Sequence, residues 1–563
     1  MASVRASCLL LAGVLSACGA SEGPALDDAG SPDLGTDMGG SAGDARAPAG
    51  DAGRPGADAG RPDGGRLAED ELRLGDGVVR VRRDEGRVLA FGLPYAAPPT
   101  GPRRFRSPAP VESWDGVRDA LAFGSSCPQR NSMGDPVGDE DCLSLNVWGF
   151  DPETVAEARA VMVWIHGGGF VQGSSSVSIY DGSALSTAQE VVVVTINYRL
   201  GALGFLTTDA LAAESSDGTA GNYGILDQIQ ALRWVQTEIS AFGGDPNKVT
   251  VFGESAGGAS VCALLGAPTA QDLFHRAIIQ SGGGCQAFPP LRGGPASALA
   301  IGDSLMGAAD CADAPDPLTC ARALPADGWT EALFRVPTSG LGLPDVGPHI
   351  DGVVLPQQTF DLFASGAGPA LPIITGSNAD EAVSFTAALR IQNRTELEAT
   401  FASALPARFV EPLLALYSQD DFPDPKRAYE AFFSDLAFNC PAESFARVAP
   451  ASGASLWMYH FEHTLAGAFG VRGAVHGLEI PFVFGTLDRL SAYRAVDADR
   501  RVSASMQQAW GSFAREGRVE VESWPPFGEG GQERHWVVED PVGPAMVFRE
   551  GRCEALRGLG LVR

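Results

Sequence analysis

The feature that most constrains the fold is a series of short, almost wholly apolar runs, most of them followed closely by glycine. These runs lie at residues 161–165, 191–196, 248–252, 277–280, 371–375 and 456–459. A strand without a polar face is buried on both sides, so helices must cover both faces of the sheet that it joins. Apolar residues at helical spacing occur between the runs, at 226–239 and 504–516. This alternation predicts an α/β fold with a mostly parallel central sheet and helices on both faces.

Residues 71–563 are predicted to form one domain, because no internal repeat and no break in composition interrupt them. Two more strands are predicted near its start, at 78–82 and 87–91. The segment 286–370 is long and rich in Pro and Gly. We interpret it as a set of loop insertions over the end of the sheet that carries the active site.

The first 18 residues resemble an export signal. A single early charge, Arg5, precedes the apolar stretch 8–15, which is too short to span a bilayer as a mature helix. The stretch leads into L-S-A-C at residues 15–18, which is similar to the lipobox of bacterial lipoproteins, in which the cysteine is lipidated. We therefore predict a lipoprotein signal peptide over 1–18, lipidation at Cys18, and a place in the outer membrane or at the surface of a bacterial cell. Ordinary secretion after cleavage nearby is the alternative.

The next segment, residues 19–70, consists almost entirely of Gly, Ala, Asp, Pro, Ser and Arg and contains no aromatic residue. It cannot bury enough apolar area to offset the entropy of ordering, so it is predicted to be a disordered tether. The whole chain has a net charge of −28. This acidity argues against binding of nucleic acid or of anionic lipid headgroups, so contact with a membrane is expected only through the lipid anchor.

A serine is placed where a strand is predicted to turn into a helix. The sequence G-E-S-A-G at residues 253–257 follows the apolar run 248–252, and a helix is predicted over 258–265. A serine hydroxyl is a poor nucleophile unless it is exposed beside a base, and a sharp strand-to-helix turn exposes it. Flanking glycines give that turn room. The context predicts that Ser255 is a nucleophile.

A nucleophilic serine needs a base, and the base needs an acid that orients it. Of the seven histidines, His476 stands in a loop flanked by glycines, whereas His460 and His463 follow a strand and are interpreted as exposed edge residues. For the acid, Glu381 and Asp380 both follow the run 371–375, where a carboxylate emerges at the carboxyl edge of a parallel sheet. The pattern alone leaves these choices open.

The oxyanion that forms during acyl transfer needs hydrogen-bond donors. The sequence H-G-G-G-F at residues 166–170 follows the run 161–165. Consecutive glycines allow backbone N–H groups to converge on a developing negative charge, and the N–H of Ala256, directly after the serine, is a further donor. A flexible loop is the alternative interpretation, which the position between a strand and the serine turn disfavours.

Seven segments of the chain together resemble the type B carboxylesterases, the family that includes the cholinesterases and some fungal lipases. They lie at residues 92–96, 140–147, 164–170, 197–201, 242–246, 253–258 and 476–485. The resemblance extends from about residue 71 to about residue 556. It implies the α/β-hydrolase fold, with a single catalytic domain over 71–563.

This resemblance also implies roles for individual residues. Ser255 is the implied nucleophile and His476 the base. Glu381 is the implied acid, which decides the choice against Asp380. Glu254, beside the nucleophile, is implied to support the histidine electrostatically.

Further implied residues are the oxyanion donors and the disulfides. The donors are the backbone N–H groups of Gly168, Gly169 and Ala256; removal of one such donor typically costs about 3–4 kcal/mol. Export makes disulfides plausible, and the resemblance implies the pairs Cys127–Cys142, Cys311–Cys320 and Cys440–Cys553. Cys262, in the apolar helix after the serine, is predicted to be a buried free thiol, and Cys285 is unassigned.

The chain departs from the cholinesterases in the loop that the first disulfide closes. Cholinesterases carry a tryptophan there for a quaternary ammonium group, whereas residues 128–141 contain no aromatic residue. We therefore expect no preference for choline esters.

The expected function is hydrolysis of small to medium carboxylic esters through an acyl-enzyme intermediate, without a metal or an organic cofactor. Two alternatives keep the scaffold: a lipase, and a hydrolase of amides, carbamates or lactones. A more remote alternative is a non-catalytic binding protein of the cholinesterase-like type. The sequence makes no prediction of the oligomeric state.

Overall fold

The computed structural model describes most of the chain after the predicted tether. The described residues are 67–286, 288–336, 338, 345–465, 472–491, 493–521 and 524–563. The signal peptide predicted for 1–18, the lipidation site Cys18 and nearly all of the tether predicted for 19–70 lie outside them. Within the described ranges, no helix is both long enough and apolar enough to cross a membrane.

The described strands are between two and eleven residues long. They are, in chain order, β1 (Glu71–Leu74), β2 (Gly77–Arg80), β3 (Arg82–Asp84), β4 (Arg87–Pro94), β5 (Val117–Asp119), β6 (Gln129–Arg130), β7 (Pro136–Val137), β8 (Ser144–Phe150), β9 (Arg159–Ile165), β10 (Val192–Ile196), β11 (Gly244–Glu254), β12 (Arg276–Gln280), β13 (Ile373–Asn378), β14 (Leu456–Phe461), β15 (His535–Val538) and β16 (Gly543–Ala545).

The α-helices lie between and after these strands. They are, in chain order, α1 (Ser183–Gln189), α2 (Gly201–Phe205), α3 (Asp209–Glu214), α4 (Tyr223–Glu238), α5 (Ala256–Gly266), α6 (Ala298–Ala308), α7 (Pro317–Ala323), α8 (Ala326–Leu333), α9 (Thr359–Ala364), α10 (Arg394–Ala404), α11 (Val410–Leu416), α12 (Pro425–Ser434), α13 (Cys440–Val448), α14 (Ile480–Phe484), α15 (Asp497–Glu516) and α16 (Arg552–Gly558).

The described strands build one large sheet and two small ones. The large sheet has eleven strands in the order β16-β15-β14-β13-β12-β11-β9-β10-β8-β4-β3. Its seven consecutive strands from β15 to β10 pair in parallel. The outer strands pair antiparallel. The predicted mostly parallel central sheet is therefore confirmed.

Strand β9 shows why these runs carry no polar face. From residue 161 to residue 165 its side chains alternate between two apolar cores and are fully buried: Val161, Val163 and Ile165 on one face, Met162 and Trp164 on the other. Helices α4 and α5 belong to the first core, and α14 and α15 to the second. A third, smaller core joins α10, α11 and α12 to the C-terminal helix α16.

The segment 286–370, predicted as loop insertions, contains the helices α6, α7, α8 and α9, because short amphipathic stretches between its Pro and Gly residues pack on the first core. The predicted strands agree with the structure except near the start of the domain. The run 78–82 is not one strand: β2 ends at Arg80 in a three-stranded sheet with β1 and β5, whereas β3 begins at Arg82 in the large sheet. The chain changes sheets at Val81, which is buried. Periodicity could not show this change, because both strands alternate in the same way.

Four disulfides join the described cysteines. Three of them are the implied pairs, which are confirmed: Cys127–Cys142, Cys311–Cys320 and Cys440–Cys553. The prediction of a free thiol at Cys262 is wrong, because it is bonded to Cys285, with the two Cα atoms 5.2 Å apart. The pairing depends on a turn after β12, in which residues 281, 283, 284 and 285 have positive φ and bring the chain back onto α5. The spacing of the cysteines in the sequence does not predict that turn.

Candidate active site

The turn between β11 and α5 places Ser255 at the carboxyl edge of the parallel strands. Ser255 has φ 57° and ψ −122°, a conformation that L-residues rarely adopt. The two glycines of the motif make room for it. A Cβ at Gly257 would lie 2.0 Å from the carbonyl oxygen of Ile165, and one at Gly253 would lie 2.6 Å from the carbonyl carbon of Gly257. The G-x-S-x-G spacing is thus a packing requirement of the turn.

His476 and Glu381 meet beside this turn. His476 Nδ1 lies 2.5 Å from Glu381 Oε2. The other oxygen, Oε1, accepts hydrogen bonds from the backbone N–H of Asn378 at 2.7 Å and from Ser281 Oγ at 2.5 Å. Because Glu381 is fully buried, these donors stabilise a charge that would otherwise be costly to bury.

Asp380, the other candidate acid, has a different position. Its Oδ2 accepts from the backbone N–H of Ala474 at 3.0 Å, and its own N–H donates to the carbonyl oxygen of Ala474 at 3.0 Å. Its Oδ1 lies 3.2 Å from Arg427. Asp380 therefore braces the loop that carries His476, without contact to the imidazole.

The second imidazole nitrogen faces a carboxyl group. His476 Nε2 lies 3.1 Å from Glu254 Oε1. In the described part of the chain, no hydrogen bond joins Nε2 to Ser255 Oγ or to another atom. Such contacts are often long in the free enzyme and shorten when substrate binds.

The carboxyl groups shift the pKa of the histidine. Burial alone lowers the pKa of His476, but the nearby Glu254 and Glu381 outweigh burial and raise it above its usual value. Burial also raises the pKa of Glu254, against the attraction of His476. The two groups therefore titrate as a coupled pair.

The glycine loop after β9 lies against the serine turn. A Cβ at Gly167 would lie 3.0 Å from the Cβ of Ser255. Gly168 has φ 107°, and a Cβ there would lie 2.2 Å from the carbonyl oxygen of Gln172. Among the described residues, no protein acceptor takes the N–H groups of Gly168, Gly169 or Ala256. These donors are available to a bound group.

A cavity of about 1590 Å³ opens onto the serine turn. Aromatic side chains form much of one wall, and Phe385 and Phe438 pack on the His476 ring with centroids 4.9 Å away in each case. Polar residues, among them Ser174, Ser175 and Ser176, form another part of the lining. The predicted insertion 286–370 contributes residues 288–289 and 345–348 to the lining, as expected.

Sequence reasoning missed a buried polar layer beneath the site. Glu479 accepts from Gln280 Nε2 at 3.0 Å and from Asn378 Nδ2 at 2.6 Å, and it is fully buried. Burial raises the pKa of Glu479. Ser281, which contacts Glu381, was also missed. The sequence could have indicated a role for Ser281, because this residue directly follows the apolar run 277–280 and so lies at the carboxyl edge of the sheet.

The prediction that His460 and His463 are exposed edge residues is wrong. They are 2% and 9% exposed. Strand β14 is internal, because β15 pairs with it in parallel and covers the edge. His463 Nε2 lies 2.8 Å from the buried Asp499 Oδ1, away from Ser255. Within the described residues, no group of three or more His, Cys, Asp or Glu side chains is arranged to hold a metal ion.

Comparison with known proteins places this geometry in a family. A profile of the carboxylesterase family matches residues 76–543. Para-nitrobenzyl esterase of Bacillus subtilis (strain 168) is 37% identical over 470 residues, which cover 80% of this chain and 91% of that protein. Fumonisin B1 esterase of Sphingopyxis macrogoltabida is 38% identical over 482 residues, covering 82% of this chain and 84% of that protein.

Solved structures agree with this result. A carboxylesterase of Geobacillus stearothermophilus aligns with a TM-score of 0.76 at 33% identity, covering 86% of this chain and 99% of that chain. A para-nitrobenzyl esterase structure aligns with a TM-score of 0.75 at 32% identity, covering 87% and 99%. The α/β-hydrolase fold is thereby confirmed. The chain belongs to the carboxylesterase family and is a carboxylic ester hydrolase.

Proposed function

We propose that this hydrolase acts on small to medium carboxylic esters through a triad of Ser255, His476 and Glu381 and an acyl-enzyme intermediate. The observation that carries the proposal is the 2.5 Å contact between His476 Nδ1 and Glu381 Oε2. It lies at the same cavity as the strained turn of Ser255. Nucleophile, base and orienting acid are thus gathered where a substrate can enter.

In the first half of the reaction, His476 Nε2 takes the proton of Ser255 Oγ, which attacks the ester carbonyl carbon. The negative charge that develops on the carbonyl oxygen accepts hydrogen bonds from the N–H groups of Gly168, Gly169 and Ala256. Collapse of the tetrahedral intermediate breaks the ester bond, and His476 gives its proton to the leaving alcohol.

In the second half, water replaces the alcohol. His476 takes a proton from the water, which attacks the acyl-enzyme carbonyl and releases the carboxylic acid with Ser255 restored. Glu381 accepts the Nδ1–H bond throughout. It thereby fixes the tautomer that leaves Nε2 free to accept a proton, and it stabilises the imidazolium.

Glu254 has a supporting role in this proposal. Its Oε1 atom lies 3.1 Å from Nε2, so its negative charge stabilises the imidazolium that forms after proton transfer. For attack, Nε2 must come within hydrogen-bond distance of Ser255 Oγ. The raised pKa of His476 supports this electrostatic role of Glu254.

The names of the relatives support esters as the substrates, without selecting one. They include para-nitrobenzyl esterase, fumonisin B1 esterase and cocaine esterase. The cavity lining combines aromatic and hydroxyl side chains, which suits an ester with apolar and polar parts. Because the loop 128–141 lacks an aromatic residue, we infer no preference for choline esters.

The test compares wild-type protein with Ser255→Ala on p-nitrophenyl esters from acetate to palmitate. We expect the substitution to lower kcat by about 10⁴-fold or more, with thermal unfolding unchanged and fluorophosphonate labelling abolished. Near-native turnover by Ser255→Ala would refute the nucleophile. A maximum at palmitate would assign a lipase instead, and a folded wild-type protein with neither labelling nor turnover would favour a binding protein.

We further propose that the protein is exported and held at a bacterial membrane by lipid on Cys18. The sequence around Cys18 supports the anchor. The four disulfides of the described domain support export independently, because disulfides persist in oxidising compartments and are rare in the cytosol.

A further inference from the structure

The segment between β12 and Phe288 contacts the active site at both of its ends. At one end, Ser281 Oγ donates to Glu381 Oε1 at 2.5 Å. At the other end, Phe288 forms part of the cavity wall. Between them, Cys285 is bonded to Cys262. Cys262 lies on α5, seven residues after Ser255, which is about two helical turns.

The backbone of this segment has an unfavourable conformation. Ser281 has φ 50° and Cys285 has φ 58°, and both residues carry side chains that disfavour the left-handed region. Gly283 and Gly284, at φ 67° and 63°, share that region. Four of the five residues 281–285 are therefore left-handed. Such a run persists only where the surrounding structure imposes it.

Two packed surfaces enclose the segment. Gly282 lies against α5, where a Cβ would be 2.7 Å from the carbonyl carbon of Gly258. Gly284 lies against the start of α13, where a Cβ would be 2.0 Å from the carbonyl oxygen of Pro441. Pro441 follows Phe438 closely, and Phe438 packs on the His476 ring. A shift of the segment would therefore disturb both Glu381, through Ser281, and Phe438, through the backbone near Pro441.

The disulfide lies inside the protein, because Cys262 is 0% and Cys285 is 2% exposed. We propose that the Cys262–Cys285 bond positions the active site: it holds residues 281–285 in their mostly left-handed path, and so sets both the support of Glu381 and the size selectivity of the cavity. The proposal rests on the proposed function, since it assumes hydrolysis at Ser255. Neither cysteine touches the substrate in this account, so both are positioning residues.

The experiment compares two disulfide deletions. Cys262→Ala/Cys285→Ala removes the proposed positioning bond. Cys311→Ala/Cys320→Ala removes a bond in the segment 290–336, which contributes no residue to the cavity lining. For both variants and wild type, kcat and KM are measured on p-nitrophenyl acetate, butyrate and hexanoate, below the Tm of each protein. Labelling by fluorophosphonate counts the competent active sites.

We expect the first variant to lose about tenfold in kcat/KM on the best wild-type ester, within the range of up to about 10²-fold that a misplacement of 1 Å can cost. The ratio of kcat/KM for hexanoate to that for acetate should change with it, whereas the control deletion lowers Tm and preserves the ratio. Equal ratios in both variants would overturn the proposal, because a purely structural crosslink lowers Tm without changing selectivity.

A second variant, Cys262→Val/Cys285→Ala, replaces the lost sulfur volume in α5 if the alanine pair does not fold. If neither variant folds, the disulfide is required for folding and the proposed positioning role is overturned. Ser255→Ala separates the two claims. Full activity of Ser255→Ala would refute the assignment of the nucleophile. If Ser255→Ala is inactive but the selectivity ratio of the Cys262→Ala/Cys285→Ala variant equals that of wild type, only the positioning role is refuted.

Discussion

At the scale of single residues, the contact between Glu254 and His476 is expected to influence how the hydrolysis rate depends on pH. The negative charge of Glu254 raises the pKa of His476, and catalysis requires the neutral imidazole. Glu254→Gln removes that charge, so the pKa of His476 falls and the acid limb of kcat/KM moves to lower pH. We expect a shift of about 1 pH unit, at the low end for a charge at this distance.

The pH profile of kcat/KM between pH 5 and 9 measures this shift. Glu411→Gln, which removes an exposed carboxylate on α11, is the matched control and should leave the profile unchanged. If the acid limb of the Glu254→Gln profile lies at the same pH as in wild type, or at higher pH, the electrostatic role of Glu254 is contradicted.

Sequence reasoning reached the chemistry of these residues but not their arrangement. Glu381 and Asp380 are adjacent in one turn, and only the fold shows that one contacts His476 while the other holds Ala474. The contact between Glu254 and His476 Nε2 also depends on how the loop that carries His476, 222 residues later in the chain, returns to the serine turn. Long-range contacts of this kind have no local pattern.

At the scale of elements, the strand-to-helix turn depends on glycine at position 257. Gly257→Ala would bring a Cβ to 2.0 Å from the carbonyl oxygen of Ile165, and neither backbone can move cheaply. We expect the free energy of unfolding to fall by about 1–3 kcal/mol, as for other overpacked interiors. Urea denaturation measures the change.

Gly307→Ala is the control, because Gly307 lies in α6 with no atom within 4 Å of the added Cβ. It should stabilise the protein by about 0.5–1 kcal/mol, since alanine favours a helix over glycine. If Gly257→Ala is as stable as wild type, the glycine is not required by packing.

Elements were predictable where burial dictates the pattern. The runs that became β9, β10 and β11 are apolar because both faces of the sheet are covered. The turn after β12 was not predictable, because Ser281 and Cys285 adopt positive φ against their own preference. The partner of Cys262 was missed for that reason.

At the scale of the whole molecule, the proposed lipid on Cys18 decides where the acidic enzyme works. The net charge of −28 gives no attraction to anionic headgroups, so acyl chains must supply membrane affinity. We expect Cys18→Ala to move the protein from the membrane fraction to the soluble fraction. Cys8→Ala, within the predicted signal peptide, is the control and should leave the protein in the membrane fraction.

Fractionation followed by an esterase assay of each fraction measures this redistribution. Membrane recovery that is the same for Cys18→Ala and wild type would contradict lipidation. The esterase activity per molecule should be equal in both, because the described domain begins far along the chain from Cys18.

The size of the cavity bears on every assay with small esters. At about 1590 Å³ it exceeds the roughly 300–1,000 Å³ that is common for ligand pockets. An acetyl ester leaves most of that space to water and behaves as a truncated substrate, because the remote groups that would contribute binding energy in the transition state are missing. The slowest members of a test series therefore report how much catalytic power the enzyme draws from parts of the substrate that never react.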